Sequence, residues 1–390
     1  MNDLWSVAAP TSGAVPSVLD VDSHFPEPAD WLNSVDLKLA KACPGRALLL
    51  GTAAFAGVDA LQPPSTPFWS GLTEWADCST IADIGSLVED SRTSTFLSVE
   101  HFDAPARVAW LDRVGVDHQV CNPSQAAHLA AGAAAIDPKL GRSVADAFNH
   151  WAGEAVHGHR DRLHPAGLID LSEAHGALSD LERLAANGGI TFLMPLDHAA
   201  WDHVMTPEFA AFWEAVERLG VMPSMHLGIG PKRHPLLSSA AAWAAMQVDA
   251  QRCLLAWVGS PYAASHPGVS VLVQELGVDW APPWLRSLDR AIGTPVVQML
   301  GGPHPSSRSI AEVAETQVLW VPLPRDPVRA TLADREVPMA FGSDHPHGEG
   351  WGNDPVAAFK RCLADQTLAE RVLSASLERP VRNTRAGCEM

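Results

Sequence analysis

At 390 residues the chain exceeds one average domain, yet a single barrel with insertions reaches this size. Its 45 acidic against 27 basic residues give a net charge of -18, which repels phosphate backbones and anionic lipid and argues against nucleic-acid or membrane partners. No uninterrupted apolar run is long enough to cross a bilayer, residues 1–15 lack the basic and long apolar regions of a secretory signal, and six scattered cysteines without close spacing fit a reducing cytoplasm.

Residues 1–16 are small and rich in Pro, Ser and Ala, and read as a loose arm. Val18 to Val21 is a short apolar strand, followed at once by Asp22, His24 and Glu27. In extended chain alternate side chains share a face, so Asp22 and His24 can grip one ion from a strand end. The next stretch, 28–100, carries scattered Pro, Gly and Trp with little periodicity and is expected to be an insertion covering the site. Most of the 14 Trp are expected to fill cores.

From about Ala104 amphipathic helices alternate with short apolar strands. Strands are expected at Val114 to Cys121, His164 to Ile169, Ile190 to Met194, Val221 to Met225, Val269 to Gln274, Val318 to Val321 and Met339 to Phe341. Helices are expected over Ser143 to Arg160, from Ser172 to a stop at Gly188-Gly189, and from Thr206-Pro207 to Gly220. With Val18 to Val21 there are eight strands, and their alternation with helices predicts a distorted (β/α)8 TIM barrel over residues 17–378, followed by a tail at 379–390.

In such barrels chemistry sits at the carboxyl ends of the strands. The residues just past the expected strands are Asp22, His24 and Glu27, then His226, then Glu275, then Asp344, His345 and His347. Imidazoles and carboxylates meeting at one mouth suit a divalent ion such as zinc, manganese or iron, and no cysteine stands among them to suggest a structural zinc site. The bland alternatives are that His226 bonds a neighbouring carbonyl, that Asp344 caps a helix, and that Glu275 pairs with Arg286. His198 and Trp201, past the fourth strand, are weaker candidates for substrate contacts.

The pieces L-D-V-D-S-H-F-P-E-P (Leu19 to Pro28), M-P-S-M-H (Met222 to His226) and F-G-S-D-H-P-H-G-E-G (Phe341 to Gly350) resemble signatures of the amidohydrolase superfamily. More narrowly they resemble its amidohydrolase-2 group, related to aminocarboxymuconate semialdehyde decarboxylase. Lesser echoes run through Gly115 to Ser124, Phe148 to Trp151, Asp161 to Ile169 and Gln274 to Trp280. The resemblance implies Asp22, His24, His226 and Asp344 as ligands of one divalent metal, zinc first and manganese or iron otherwise. It also implies that Asp344 contacts both metal and nucleophilic water. Homo-oligomers are common in the group. The first pair departs from the commoner His-x-His or Glu-x-His, and the decarboxylases of the group generally have a His where this chain has Glu275.

A glutamate there repels the carboxylate that a decarboxylase must hold, which favours hydrolysis. The sequence therefore leads us to expect a metal-dependent hydrolase cleaving an amide-like C-N bond in a bulky organic or peptidic substrate, natural products included. Asp344 is the expected base, Glu275 and His347 move protons or orient ligands, and Trp201, His198, His345 and Glu27 contact substrate. Non-oxidative decarboxylation of an aromatic or unsaturated acid is the alternative, and a metal-free ligand-binding barrel is the second.

Overall fold

The structure is a computed structural model describing residues 17–27, 100 and 103–375, with gaps at 125, 128–129, 132–133, 135–137, 227–238, 293, 296–298, 300–309, 336 and 348–349. The expected arm, the tail and all but Glu100 of the expected insertion lie outside the described residues. Among the described residues no helix is long and apolar enough to cross a membrane.

The chain opens with β1 (Leu19–Asp20), then α1 (Ala104–Val114), β2 (His118–Cys121), α2 (Pro138–Ala155), β3 (Leu163–Leu168), α3 (Ala174–Ala186) and β4 (Thr191–Met194). It continues through α4 (His198–Val204), α5 (Ala210–Leu219), β5 (Met222–His226), α6 (Ser239–Val258), α7 (Pro261–Ser265), β6 (Val271–Gln274), α8 (Ala281–Ile292) and α9 (Ile310–Gln317). Last come β7 (Val318–Trp320), α10 (Val328–Asp334), α11 (Pro355–Leu363) and α12 (Gln366–Ala375). The seven strands form one parallel sheet in chain order.

The eighth expected strand is present as an extended segment rather than a regular one. Around Met339 it bridges Trp320 of β7, with Ala340 N–H donating to the Trp320 carbonyl at 3.0 Å. Farther along, Val21 N–H donates to the Phe341 carbonyl at 2.9 Å, Asp344 N–H to that of Asp22 at 2.7 Å, and Ser23 bridges His345. This segment meets β7 on one side and the β1 end on the other, so the curled sheet closes as a distorted barrel.

Parity along the strands explains the core. Leu19, Val120, Ala166, Leu168, Leu193, Met222, Leu272, Leu319 and Ala340 belong to one buried cluster. Their neighbours Cys121, Phe192, Met194, Met225, Val271, Val273, Trp320 and Phe341 belong to a second, which includes most of the buried helix side chains. Such alternation is what a closed sheet wrapped by helices requires. Trp201, Trp213, Trp257 and Trp320 are fully buried, so these Trp do fill cores.

Three element boundaries differ from expectation. Val114 ends α1 instead of starting β2, because it continues the buried stripe of Trp110 and Leu111 and Gly115 (φ 76) supplies the left-handed stop. Helix α2 begins at Pro138 rather than near Ser143. Thr206 precedes a single 3-10 turn leading into α5, and its hydroxyl donates to the His203 carbonyl instead of capping the helix.

At Gly342 an added Cβ would lie 2.5 Å from Asp22 Cβ and 2.5 Å from Val321 Cγ1, so the closing segment can approach β1 only without a side chain. Gly342→Ala is expected to lower stability by about 1–3 kcal/mol, the usual cost of overpacking, as read by chemical denaturation.

His164 on β3 is buried, with Nδ1 donating to the Gly188 carbonyl at 2.9 Å. Burial lowers its pKa to about 4 from the usual 6.5. A depressed value means the contribution is complete above pH 6.5 and is lost as pH falls toward 4. The stability gap between wild type and His164→Asn is therefore expected to narrow by about 3 kcal/mol across that window, measured by denaturation at stepped pH. A constant gap would refute the assignment.

Candidate metal centre

Several strand ends converge on one cluster of imidazoles and carboxylates. Asp22 and His24 follow β1, His226 ends β5, Glu275 follows β6, and Asp344 and His347 leave the closing segment. All are buried except His347, which is partly exposed. His24, Glu275, Asp344 and His347 each offer a ligand atom within 4.8 Å of the others, as do Asp22, His24 and His226.

His24 Nε2 lies 3.6 Å from Asp344 Oδ1 and 3.9 Å from Glu275 Oε1. His226 faces Asp22 through Nε2 at 3.5 Å and Glu275 through Nδ1 at 3.6 Å. His347 Nδ1 reaches Asp344 Oδ1 at 2.8 Å and Glu275 Oε1 at 3.3 Å. The His24 ring lies 4.0 Å from that of His347 at a 32° tilt and meets that of His226 edge-on at 5.0 Å.

The backbone is bent to make this possible. Asp344 (φ 53) and Glu275 (φ 56) adopt left-handed conformations, which non-glycine residues occupy at a cost of about 1–3 kcal/mol when the surroundings enforce them. Each bend turns a carboxylate to the centre at the point where its strand ends.

The end of β2 orients the candidate ligands that follow β1. Asn122 Nδ2 donates to Asp22 Oδ1 at 2.9 Å, and Ser23 Oγ donates to the Val120 carbonyl at 2.6 Å. His24 Nδ1 is 3.2 Å from the Pro123 carbonyl, which can only accept, so that nitrogen carries the proton and Nε2 presents a lone pair to the cluster.

Electrostatics agree with that assignment. Burial, with the neighbouring imidazoles of His347 and His226, pushes His24 well below its usual pKa and keeps it neutral. Burial raises Asp22, and burial together with the Glu275 charge raises Asp344 well above the carboxylate range. Burial alone would raise Glu275 too, but His226 and His347 outweigh it and hold it low. For His347, Asp344 and Glu275 outweigh burial and keep the imidazole protonated.

The residues fit a divalent cation. His24 Nε2 and Asp344 Oδ2 are buried with no hydrogen-bond partner, and both belong to residues of the cluster. Buried like charges raise one another unless a positive charge stands between them, and nitrogen with oxygen donors is a set that zinc, manganese and iron accept.

The remaining sequence candidates fall elsewhere. Glu27 is buried, accepting from Ala126 N–H at 3.0 Å, and His345 stacks on Trp110 with ring centroids 4.0 Å apart. Trp201 is a core residue of α4 whose Nε1 donates to the Pro195 carbonyl, and His198 at the start of that helix meets Arg252 at 3.1 Å. The bland alternatives for two members fail: Arg286 pairs with Asp334, not Glu275, and the nearby helix α11 is capped by Asp354, not Asp344. Sequence reasoning assigned no role to Asn122 or to a buried trio of Asp20, Arg107 and Gln119. The stretch Gly115 to Ser124 contains Asn122 and Gln119, but as part of an echo without chemistry.

No protein-family model matches the chain, and no curated protein does. Several solved structures do. An amidohydrolase from Mycobacterium avium subsp. paratuberculosis K-10 superposes with a TM-score of 0.62 at 17% identity, covering 93% of this chain and 97% of that one. A 5-carboxyvanillate decarboxylase from Novosphingobium aromaticivorans DSM 12444, with bound manganese and 3-methoxy-4-hydroxy-5-nitrobenzoic acid, gives 0.64 at 15%, covering 94% and 97%. A dihydroxybenzoic acid decarboxylase from Polaromonas sp. JS666, with bound manganese and 2-nitroresorcinol, gives 0.58 at 14%, covering 95% and 98%. These neighbours are amidohydrolase-family structures, as the motifs suggested, and the chain has their barrel fold.

Proposed function

We propose that the protein is a metal-dependent hydrolase of amidohydrolase type, cleaving an amide-like C-N bond in a bulky organic or peptidic substrate. The observation that carries this is the charge of the cluster. Asp22, Glu275 and Asp344 bring three carboxylates against one protonated imidazole, His347. A divalent cation would hold all three ionised and balance that set, after which a neutral carbonyl can enter at little cost whereas a substrate carboxylate adds an unbalanced buried charge.

Asp22, His24, His226 and Asp344 would hold the ion, and a divalent cation in such a place lowers the pKa of water toward neutrality and polarises a carbonyl. Asp344 also keeps a carboxylate oxygen directed into the centre, which suits it to accept a proton from the attacking water. His347, held protonated between Asp344 and Glu275, is placed to return a proton to the departing nitrogen. Glu275 fixes that imidazole and screens His226.

Non-oxidative decarboxylation is the second reading, favoured by the manganese-bound decarboxylases among the structural neighbours. A panel of amides and cyclic amides run beside hydroxylated aromatic acids, with zinc- and manganese-loaded protein, separates the two. Amine release supports hydrolysis; carbon dioxide release without amide cleavage supports decarboxylation and overturns the first reading. Inertness combined with no bound metal would leave a ligand-binding barrel.

A further inference from the structure

We infer that Arg107, Gln119 and Asp20 form a positioning network that sets the geometry of the metal ligands from outside the cluster. This role rests on the metal-dependent reading above. All three side chains are completely buried. Arg107 comes from α1, while Asp20 and Gln119 are register partners on β1 and β2.

The chain of bonds runs one way. Arg107 donates through Nε to the Glu100 carbonyl at 2.6 Å, through NH1 to Gln119 Oε1 at 2.9 Å, and through NH2 to the His24 carbonyl at 2.8 Å. A guanidinium only donates, so the Gln119 oxygen must face it and the amide nitrogen must face Asp20 Oδ2, 2.8 Å away. The other Asp20 oxygen accepts from Ser343 N–H at 2.8 Å and from Asp22 N–H at 3.2 Å. Three backbone positions are thereby held: the carbonyl of His24, the N–H of Asp22 and the N–H preceding Asp344.

These are the positions where orientation is hardest to keep. Asp344 sits in a left-handed bend, and a closing segment with no regular ladder needs some other anchor. Phe25 and Trp110 flank the guanidinium at 5.4 and 6.0 Å, so Arg107 is locked by packing as well. Burying a charged pair for stability alone is a poor use of it, since apolar residues of similar volume commonly match or exceed it. Aligning two chain segments at fixed donor and acceptor positions is something apolar residues cannot do.

The test measures binding of manganese and cobalt to metal-free protein for wild type, Gln119→Met, Asp20→Asn and Arg107→Met, with thermal melts of the metal-free forms. Weakening by about 10- to 100-fold is expected, with an altered visible spectrum of bound cobalt, in variants whose metal-free melts stay near wild type. Gln119→Glu is expected to restore less than half of the loss, because it keeps the acceptor for Arg107 but replaces the donor to Asp20 with a second carboxylate. Should Arg107→Met fail to fold, Gln119→Met decides. Wild type that binds metal beside variants with unchanged affinity and spectrum would overturn the positioning role alone. Wild type that binds no metal would overturn the metal-dependent reading and this role with it.

Discussion

Asp344→Asn is expected to lower turnover by about 10²- to 10⁴-fold, the usual worth of a positioned proton acceptor, while leaving a folded protein. The amide keeps the size and one oxygen donor of the carboxylate but has no basic oxygen to receive a proton. In this chain the change also leaves only a neutral acceptor for the 2.8 Å contact from His347, so the imidazole loses one of the two charges that keep it protonated. Steady-state kinetics on the hydrolysed substrate, with circular dichroism as a folding control, check the prediction. A fully active Asp344→Asn would remove Asp344 from the chemistry.

Metal removal carries the second large effect. Asp22→Ala and His226→Ala each delete a donor from one ligand group, and both proteins are expected to lose bound metal when analysed for elemental content beside a wild type holding about one ion per chain. Because an ion binds the native state and not the unfolded chain, saturation at about 100 times Kd is expected to stabilise wild type by about 2.7 kcal/mol. A chelator should abolish that gain in wild type and leave both variants where they were. Wild-type protein that neither holds nor gains metal after reconstitution would exclude the mechanism.

Much of this cluster was legible because its side chains sit where short apolar runs stop. Val18 to Val21 announces Asp22 and His24, and M-P-S-M announces His226, in both cases by a strand too short to hide the ligand at its end. Glu275 was legible for the same reason, but its left-handed backbone was not: Gly277 is the residue in Q-E-L-G that suits such a bend, and both it (φ 72) and the glutamate (φ 56) adopt one. The supporting shell was harder. Arg107 lies in A-P-A-R-V-A-W-L, where an arginine in an amphipathic helix reads as a solvated face, and only the fold reveals that this residue turns inward. Trp201 misled in the opposite sense. Polar and aromatic residues after a strand suggest a binding loop, yet Asp197 starts a helix there and carries Trp201 into the core.

The ring of strands is completed by residues from near opposite ends of the chain, with Ser343 N–H held by Asp20 across 323 positions of sequence. Bringing such distant segments together incurs the full entropy of closing a very long loop before any contact between them can form. The candidate ligands are split across that same seam, so a nascent chain cannot bring them together until the last segment has docked. A metal held there would thus be captured late in folding, and during refolding the uptake of cobalt colour is expected to trail the recovery of helix.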